Sequence, residues 1–211
     1  MSDIWKLSAQ ETASFIQKRE LSAHDSVGAA LARLDAVNPN LNAVVEPLAE
    51  TALKQAKALD QLQADGGSLG PLHGVPVTIK INIDQDGCAT SNGVVAFKDI
   101  IAQADAPVVE NLRKAGAVII GRTNTPEFSF RADTQNPLFG RTHNPWGKHL
   151  SAGGSSGGAG AAVMAGIGAL AHGNDIGGSL RFPAAANGAV TLKPGLGRVP
   201  AWNVSQKEER G

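Results

Sequence analysis

Two sets of residues in this chain have the right types for bond-making chemistry: serines in a glycine-rich block, and one lysine well upstream of it. Gly154-Ser155-Ser156-Gly157-Gly158 fits G-x-S-x-G, the sharp strand-to-helix elbow that presents a nucleophilic serine, with Ser156 at its centre. That elbow needs an acid and then a histidine further along. After Ser156 the chain has one histidine, His172, and one aspartate, Asp175, in the reverse order. Neither the paired serines nor the second step, Gly177-Gly178-Ser179, is explained by it. Nucleotide readings fail sooner. No G-x-x-x-x-G-K-[ST] is present, and Gly158-x-Gly160 is followed by Val163 where the dinucleotide fingerprint has its third glycine.

With histidine set aside, lysine is the next candidate base, because an amine stripped of water loses its charge near neutral pH. Lys80 directly follows the apolar Val75-Pro-Val-Thr-Ile79 and precedes Ile81. Taken alone, Lys80 reads equally as an edge lysine with its stem on apolar surface and its head in water. A lone serine in a glycine loop likewise reads as a turn residue.

The elements that must position these residues read as mixed α and β. Ten of the 25 glycines fall between residues 151 and 180. Glycine weakens regular structure through its backbone freedom, so such a block is a linker or a place of close backbone approach. Val163, Met164, Ile167, Leu170 and Ile176 argue against a linker, which would be polar throughout. Upstream, Ser8-Ala-Gln-Glu11 predicts a capping box and Ser22 a second helix cap. That second helix carries Val27, Ala30, Leu31, Leu34 and Val37 on one face and ends at Asn38-Pro39-Asn40. A third helix is expected near 47–63. Val75–Ile79 is read as a buried strand, 106–115 as a helix stopped by Gly116, and Ala117-Val-Ile-Ile120 as a parallel strand. The span 159–170 is expected to be a closely packed helix. The last six residues, Gln206 to Gly211, are polar.

Composition removes whole classes. Nineteen basic and nineteen acidic residues give a net charge of zero, which makes the chain a poor candidate for a phosphate-neutralising surface, so no direct nucleic-acid binding is expected. At 42% hydrophobic the chain is not disordered. Its one cysteine, Cys88, forms no internal disulfide, no Cys/His spacing suits zinc, and a reducing, cytoplasmic compartment is expected. No signal peptide or membrane span is expected.

Read together, the segments resemble the amidase signature family. Gly153-Gly-Ser-Ser-Gly-Gly158 and Asn174-Asp-Ile-Gly-Gly-Ser-Leu-Arg-Phe-Pro183 are similar to its signature. Gly74-Val-Pro-Val-Thr-Ile-Lys80, Gly121-Arg-Thr-Asn-Thr-Pro-Glu-Phe128, Thr142-His-Asn-Pro-Trp146 and Leu192-Lys-Pro-Gly-Leu-Gly-Arg-Val-Pro200 are similar to its other segments. The resemblance implies an α/β fold with a mixed, mostly parallel sheet flanked by helices, and one domain over 1–211. A helical region at about 5–65 would precede a catalytic signature core at about 70–203. It implies amide hydrolysis by a Ser–Ser–Lys triad through an acyl-enzyme, with Ser179 the nucleophile, Ser155 the bridging serine after a cis peptide, and Lys80 the base. Backbone N–H groups of Ile176, Gly177, Gly178 and Ser179 would form the oxyanion hole, with Asp175 and Arg181 as structural support. No cofactor or metal is implied, and the partner is a small-molecule amide.

Two residues depart from the family pattern: Ile81, usually acidic, and Asn174, usually threonine. Family domains are also considerably longer. The shortfall is read as truncation rather than a natural minimal enzyme, leaving a weak or inactive chain that lacks a C-terminal half or pairs as a homodimer. Two alternatives stand beside the amidase: an amidotransferase A-type subunit that works with partner subunits in aminoacyl-tRNA amidation, and a non-catalytic fragment.

Overall fold

Ser8 opens the first helix as its spacing from Glu11 predicts. Its hydroxyl accepts from the Glu11 N–H at 3.2 Å, and Glu11 Oε2 accepts from the Ser8 N–H at 2.8 Å. In the computed structural model, which describes residues 3–206, this helix is α1, Ala9–Gln17. Ser22 caps α2, Ala23–Leu41, by accepting from the Asp25 N–H at 2.9 Å.

Helix α2 does not end at Asn38-Pro39-Asn40. It runs through Pro39 to Leu41 and stops at Asn42, which sits in the left-handed region at φ 52°. The Asn38 side chain makes this ending work, because its Oδ1 accepts from both the Ala43 and Val44 N–H groups at 2.9 Å. A short strand the sequence did not announce follows, β1, Val44–Pro47, and then α3, Ala49–Ala64. Strand β2, Pro76–Lys80, is buried at every position. Helix α4, Pro107–Lys114, leads into β3, Val118–Thr123, which runs three residues past the expected Ile120.

Two small hairpins come next, β4 (Gln135–Asn136) with β5 (Gly140–Arg141), and β6 (His143–Asn144) with β7 (Gly147–Ser151). Helix α5 spans only Gly157–Met164, and the stretch expected to continue it becomes β8, Leu170–Ala171. Gly166 and Gly168 break the helix with φ of 79° and 77°, where L side chains are strained. At Gly166 a Cβ would also lie 2.3 Å from the Trp5 ring. Helix α6, Arg181–Asn187, completes the main elements.

The central sheet has the order β1-β3-β2-β8. β2 pairs in parallel with β3 and β8, and β1 is antiparallel to β3. The fold is therefore α/β with a mixed, mostly parallel sheet. Alternate strand residues feed two cores: Val118 and Ile120 pack with α2, α3 and α5, whereas Val77, Ile79 and Ile119 pack with Val109 of α4. The polar tail read in the sequence lies outside the described residues beyond Gln206.

Candidate active site

Lys80 is the last residue of β2, in register with Thr123 of β3, and is fully buried. Its Nζ donates to Ser155 Oγ at 2.7 Å and to Asn174 Oδ1 at 2.8 Å. Burial is the main force on this amine and lowers its pKa to about 7, with the Asp175 carboxylate opposing the shift. A base near neutral is thus produced by the desolvation that the apolar strand foreshadows.

Ser155 sits in the turn between β7 and α5, after a cis Gly154–Ser155 peptide. The glycines around it are there for close approach. A Cβ at Gly154 would lie 2.3 Å from the Arg131 carbonyl oxygen, and one at Gly158 would lie 2.4 Å from the Asn124 backbone nitrogen. Ser179 is brought to the same place by a backbone bond, its carbonyl accepting from the Ser156 N–H at 3.1 Å. Both Ser155 and Ser179 line one open cleft of about 730 Å³, together with Asn82, Asn174, Phe128 and Phe182.

The loop carrying Ser179 is organised by Asp175, whose side chain is fully covered. Its carboxylate accepts from the N–H groups of Gly178 (2.7 Å), Leu180 (3.1 Å) and Arg181 (3.3 Å) and pairs with the Arg181 guanidinium through two bonds of 2.9 Å. The guanidinium is the chief cause holding this carboxyl well below the usual range, with the backbone donors adding to it. Asp175 and Arg181 thus bind each other and the loop backbone. The Gly178 N–H, expected to face an oxyanion, is instead committed to Asp175, and that takes it out of the donor set in this conformation.

The elbow alternative does not assemble. Ser156 Oγ lies 3.3 Å from the Asn174 carbonyl oxygen and 3.4 Å from its nitrogen. Asp175 is occupied with Arg181, and His172 Nδ1 is buried without a hydrogen-bond partner. Burial, and the Lys80 charge after it, lower the His172 pKa to about 4.

Sequence reasoning missed a set of neutral polar residues beside Lys80. Asn82 Nδ2 donates to Ser129 Oγ at 3.1 Å, Ser129 Oγ donates to Asn92 Oδ1 at 2.7 Å, and Thr125 Oγ1 donates to the Ser155 carbonyl at 3.0 Å. Asn82, a polar residue between Ile81 and Ile83, was the visible signal. Phe128 and Ser129, at φ of 53° and 56°, carried none. Among the described residues no cluster of three or more His, Cys, Asp or Glu side chains is placed to hold a metal, and no helix is long and apolar enough to cross a membrane.

Comparison with known proteins places the chain in a family. A family model described as Amidase matches residues 25–210, and the chain belongs to that family. It is 59% identical to an indoleacetamide hydrolase of Bradyrhizobium diazoefficiens, over 98% of this chain and 40% of the relative. It is 39% identical to the A-type subunit of the glutamyl-tRNA(Gln) amidotransferase of Moorella thermoacetica, over 96% of this chain and 42% of the relative. Among solved structures, the native peptide amidase of Stenotrophomonas maltophilia superposes with a TM-score of 0.88 at 34% identity, over 95% of this chain and 43% of that one. The chain thus spans about 40% of the length of the curated relatives it matches.

Proposed function

We propose that the chain carries the catalytic portion of an amide hydrolase, with Ser179 as nucleophile, Ser155 as proton relay and Lys80 as base. The observation that carries this reading is the wholly buried Lys80 with Nζ 2.7 Å from Ser155 Oγ. Ser179 Oγ attacks the amide carbonyl carbon, its proton passes to Ser155, and the Ser155 proton passes to the neutral amine. The carbonyl oxygen, now negative, is held by the N–H groups of Ile176, Gly177 and Ser179. Collapse of the adduct expels the amine, which takes the proton back through the same relay. Water then cleaves the acyl ester, so an amide and water become a carboxylic acid and an amine, or ammonia from a primary amide.

The substrate we infer is a small arylacetamide. Supporting it are the 59% identity to an indoleacetamide hydrolase and the aromatic and aliphatic cleft wall, Phe128, Phe130, Phe182 and Leu196. The amidotransferase reading has the weaker support of the 39% identity. One catalytic domain, organised as the sequence resemblance implies, accommodates either chemistry.

Taken alone, the 211-residue chain is expected to turn over slowly. Ile176, Leu196 and Phe130 are 101%, 106% and 89% exposed at the cleft. Water at such a mouth weakens the field that stabilises an oxyanion. The test is ammonia release from indole-3-acetamide by this chain and by Ser179→Ala. Loss of at least about 10⁴-fold in kcat is expected from the variant, whereas equal turnover by both proteins refutes the assignment.

A further inference from the structure

The second bond from Lys80 goes to a residue at which this chain departs from its family's usual threonine. Asn174 Oδ1 accepts from Nζ at 2.8 Å, and Asn174 Nδ2 donates to Asn82 Oδ1 at 3.2 Å. Asn82 in turn donates to Ser129 Oγ, which lies 2.9 Å from Thr125 Oγ1, and Thr125 donates to the Ser155 carbonyl. The polar chain that leaves Lys80 through Asn174 and Asn82 thus ends at Ser129, whose hydroxyl oxygen touches that of Thr125, the residue that donates to the Ser155 carbonyl. The Asn174 backbone is fixed from the opposite side, both its N–H and its carbonyl lying against Ser156 Oγ.

These contacts leave the Asn174 amide one orientation. Flipped, it would set a donor against Nζ that competes with Ser155 for the lone pair of the neutral amine, and an acceptor against Asn82 Oδ1. A threonine hydroxyl at this position would both donate and accept, and would rotate freely; the amide oxygen only accepts.

We propose that Asn174 is a positioning residue for the amine: its amide oxygen holds one Lys80 N–H, so that when the amine is neutral and Ser155 O–H becomes the donor across their 2.7 Å contact, the nitrogen lone pair faces Ser155 Oγ. The proposal deepens the reading of Lys80 as base and rests on it. A neutral amine has two N–H groups and one lone pair, so fixing an N–H restricts where the lone pair points. The acceptor is also uncharged, so it orients the amine without favouring the ammonium as a carboxylate would. The other charged and titratable groups around Lys80 are already engaged or neutral. Asp175 is paired with Arg181, and His172, following β8, is half-buried with its Nδ1 covered and its pKa lowered. Arg122 on β3 binds Glu46 and the carbonyls of Ile81, Ile83 and Ala89.

The test combines two readouts on the whole chain: NMR titration of Lys80 in ¹³C-lysine-labelled protein, and the pH profile of kcat and KM with indole-3-acetamide. Asn174→Asp is expected to raise the Lys80 midpoint by about 1–3 pH units and to move the rising limb of activity with it. Asn174→Ala is expected to lower kcat about tenfold or more with KM within about threefold, without raising the midpoint, and Asn174→Thr to recover part of kcat. An unmoved midpoint in folded Asn174→Asp, or wild-type kcat in Asn174→Ala, overturns the proposal. Should the aspartate variant not fold, Asn82→Ala, which frees the amide, decides instead: a lowered kcat supports the proposal and an unchanged kcat overturns it. Equal turnover by the parent chain and Ser179→Ala, with the titration still answering to Asn174→Asp, refutes the hydrolase reading while the Asn174–Lys80 contact stands.

Discussion

The two walls of the cleft are built on opposite principles. Around Lys80 the groups are closely packed and tied by hydrogen bonds: Ser155, Thr125 and Asn124 are all but inaccessible, and the half-buried Asn174, Asn82 and Ser129 form one polar chain. Across the opening, the segment 190–202 has almost no regular structure and holds Val190, Leu192 and Leu196 in the open. On the proposed mechanism the Lys80 wall must be dry and fixed, because both the lowered amine pKa and the aim of its lone pair depend on excluding water. The other wall contributes apolar surface without order of its own. On that mechanism, chemistry and substrate enclosure fall to different walls of the cleft.

The sharpest way to break that contrast is at Lys80. Lys80→Met is expected to reduce kcat at least about 10⁴-fold, because the serines lose their base while the apolar strand keeps a side chain of similar length. In the parent chain, kcat/KM is expected to rise with pH through about 7 and level off above it, following the neutral fraction of Lys80. The sign for stability is fixed as well. A lysine whose pKa is lower folded than unfolded, about 7 against about 10.4, removes stability as pH falls from about 10 to about 7. The Met variant should lack that slope in a urea-melt series. A flat activity profile between pH 6 and 9 would show that Lys80 is not the titrating base.

A middle-sized effect separates glycines that pack from glycines that do not. Gly158 lies in the first turn of α5 against the backbone of Asn124 and Ala43, and a Cβ would meet three backbone atoms at 2.4–2.7 Å. Backbone cannot move aside as a flexible side chain can, so Gly158→Ala is expected to cost about 1–3 kcal/mol of unfolding free energy. It should also lower kcat by displacing Ser155. A urea midpoint unchanged from the parent would mean that α5 can slide away from β3 freely.

This packing role explains which parts were readable from sequence. Helix starts at Ser8 and Ser22 are local chemistry and were legible, as were β2 and β3, whose apolar runs suit a buried parallel pair. Lys80 stood out because a charged residue directly followed such a strand. The motif resemblance linked it to Ser155 and Ser179, which spacing alone did not. Strand β1 was not legible: four residues whose burial only fades from buried Val44 to exposed Pro47 are too short to signal, and only pairing with β3 makes them a strand. Pro39 misled because the Asn38 side chain supplies a helix ending that propensity does not foresee. The 159–170 helix was drawn too long because the left-handed φ of Gly166 and Gly168 is set by their contacts, with the Trp5 ring beside Gly166. The Asn82–Ser129 bond joins two segments 47 residues apart, so no window of sequence contains it.

The smallest expected effect belongs to the open wall and tests whether it is structurally idle. Leu196 is 106% exposed, so its side chain already meets as much water folded as it would unfolded. Shortening it forfeits no buried apolar area, and Leu196→Ala should leave unfolding free energy within about 0.5 kcal/mol of the parent. Gly195→Ala should behave alike, since a Cβ there would touch nothing within 4 Å. Any consequence should instead be seen in KM for an arylacetamide, because Leu196 lines the cleft where an apolar substrate would lie. Chemical denaturation and steady-state kinetics on the same preparation distinguish these. If Leu196→Ala lost more than about 1 kcal/mol of stability, the segment would be packed in solution, and the two walls would form a single cooperative structure rather than an ordered wall facing an open one.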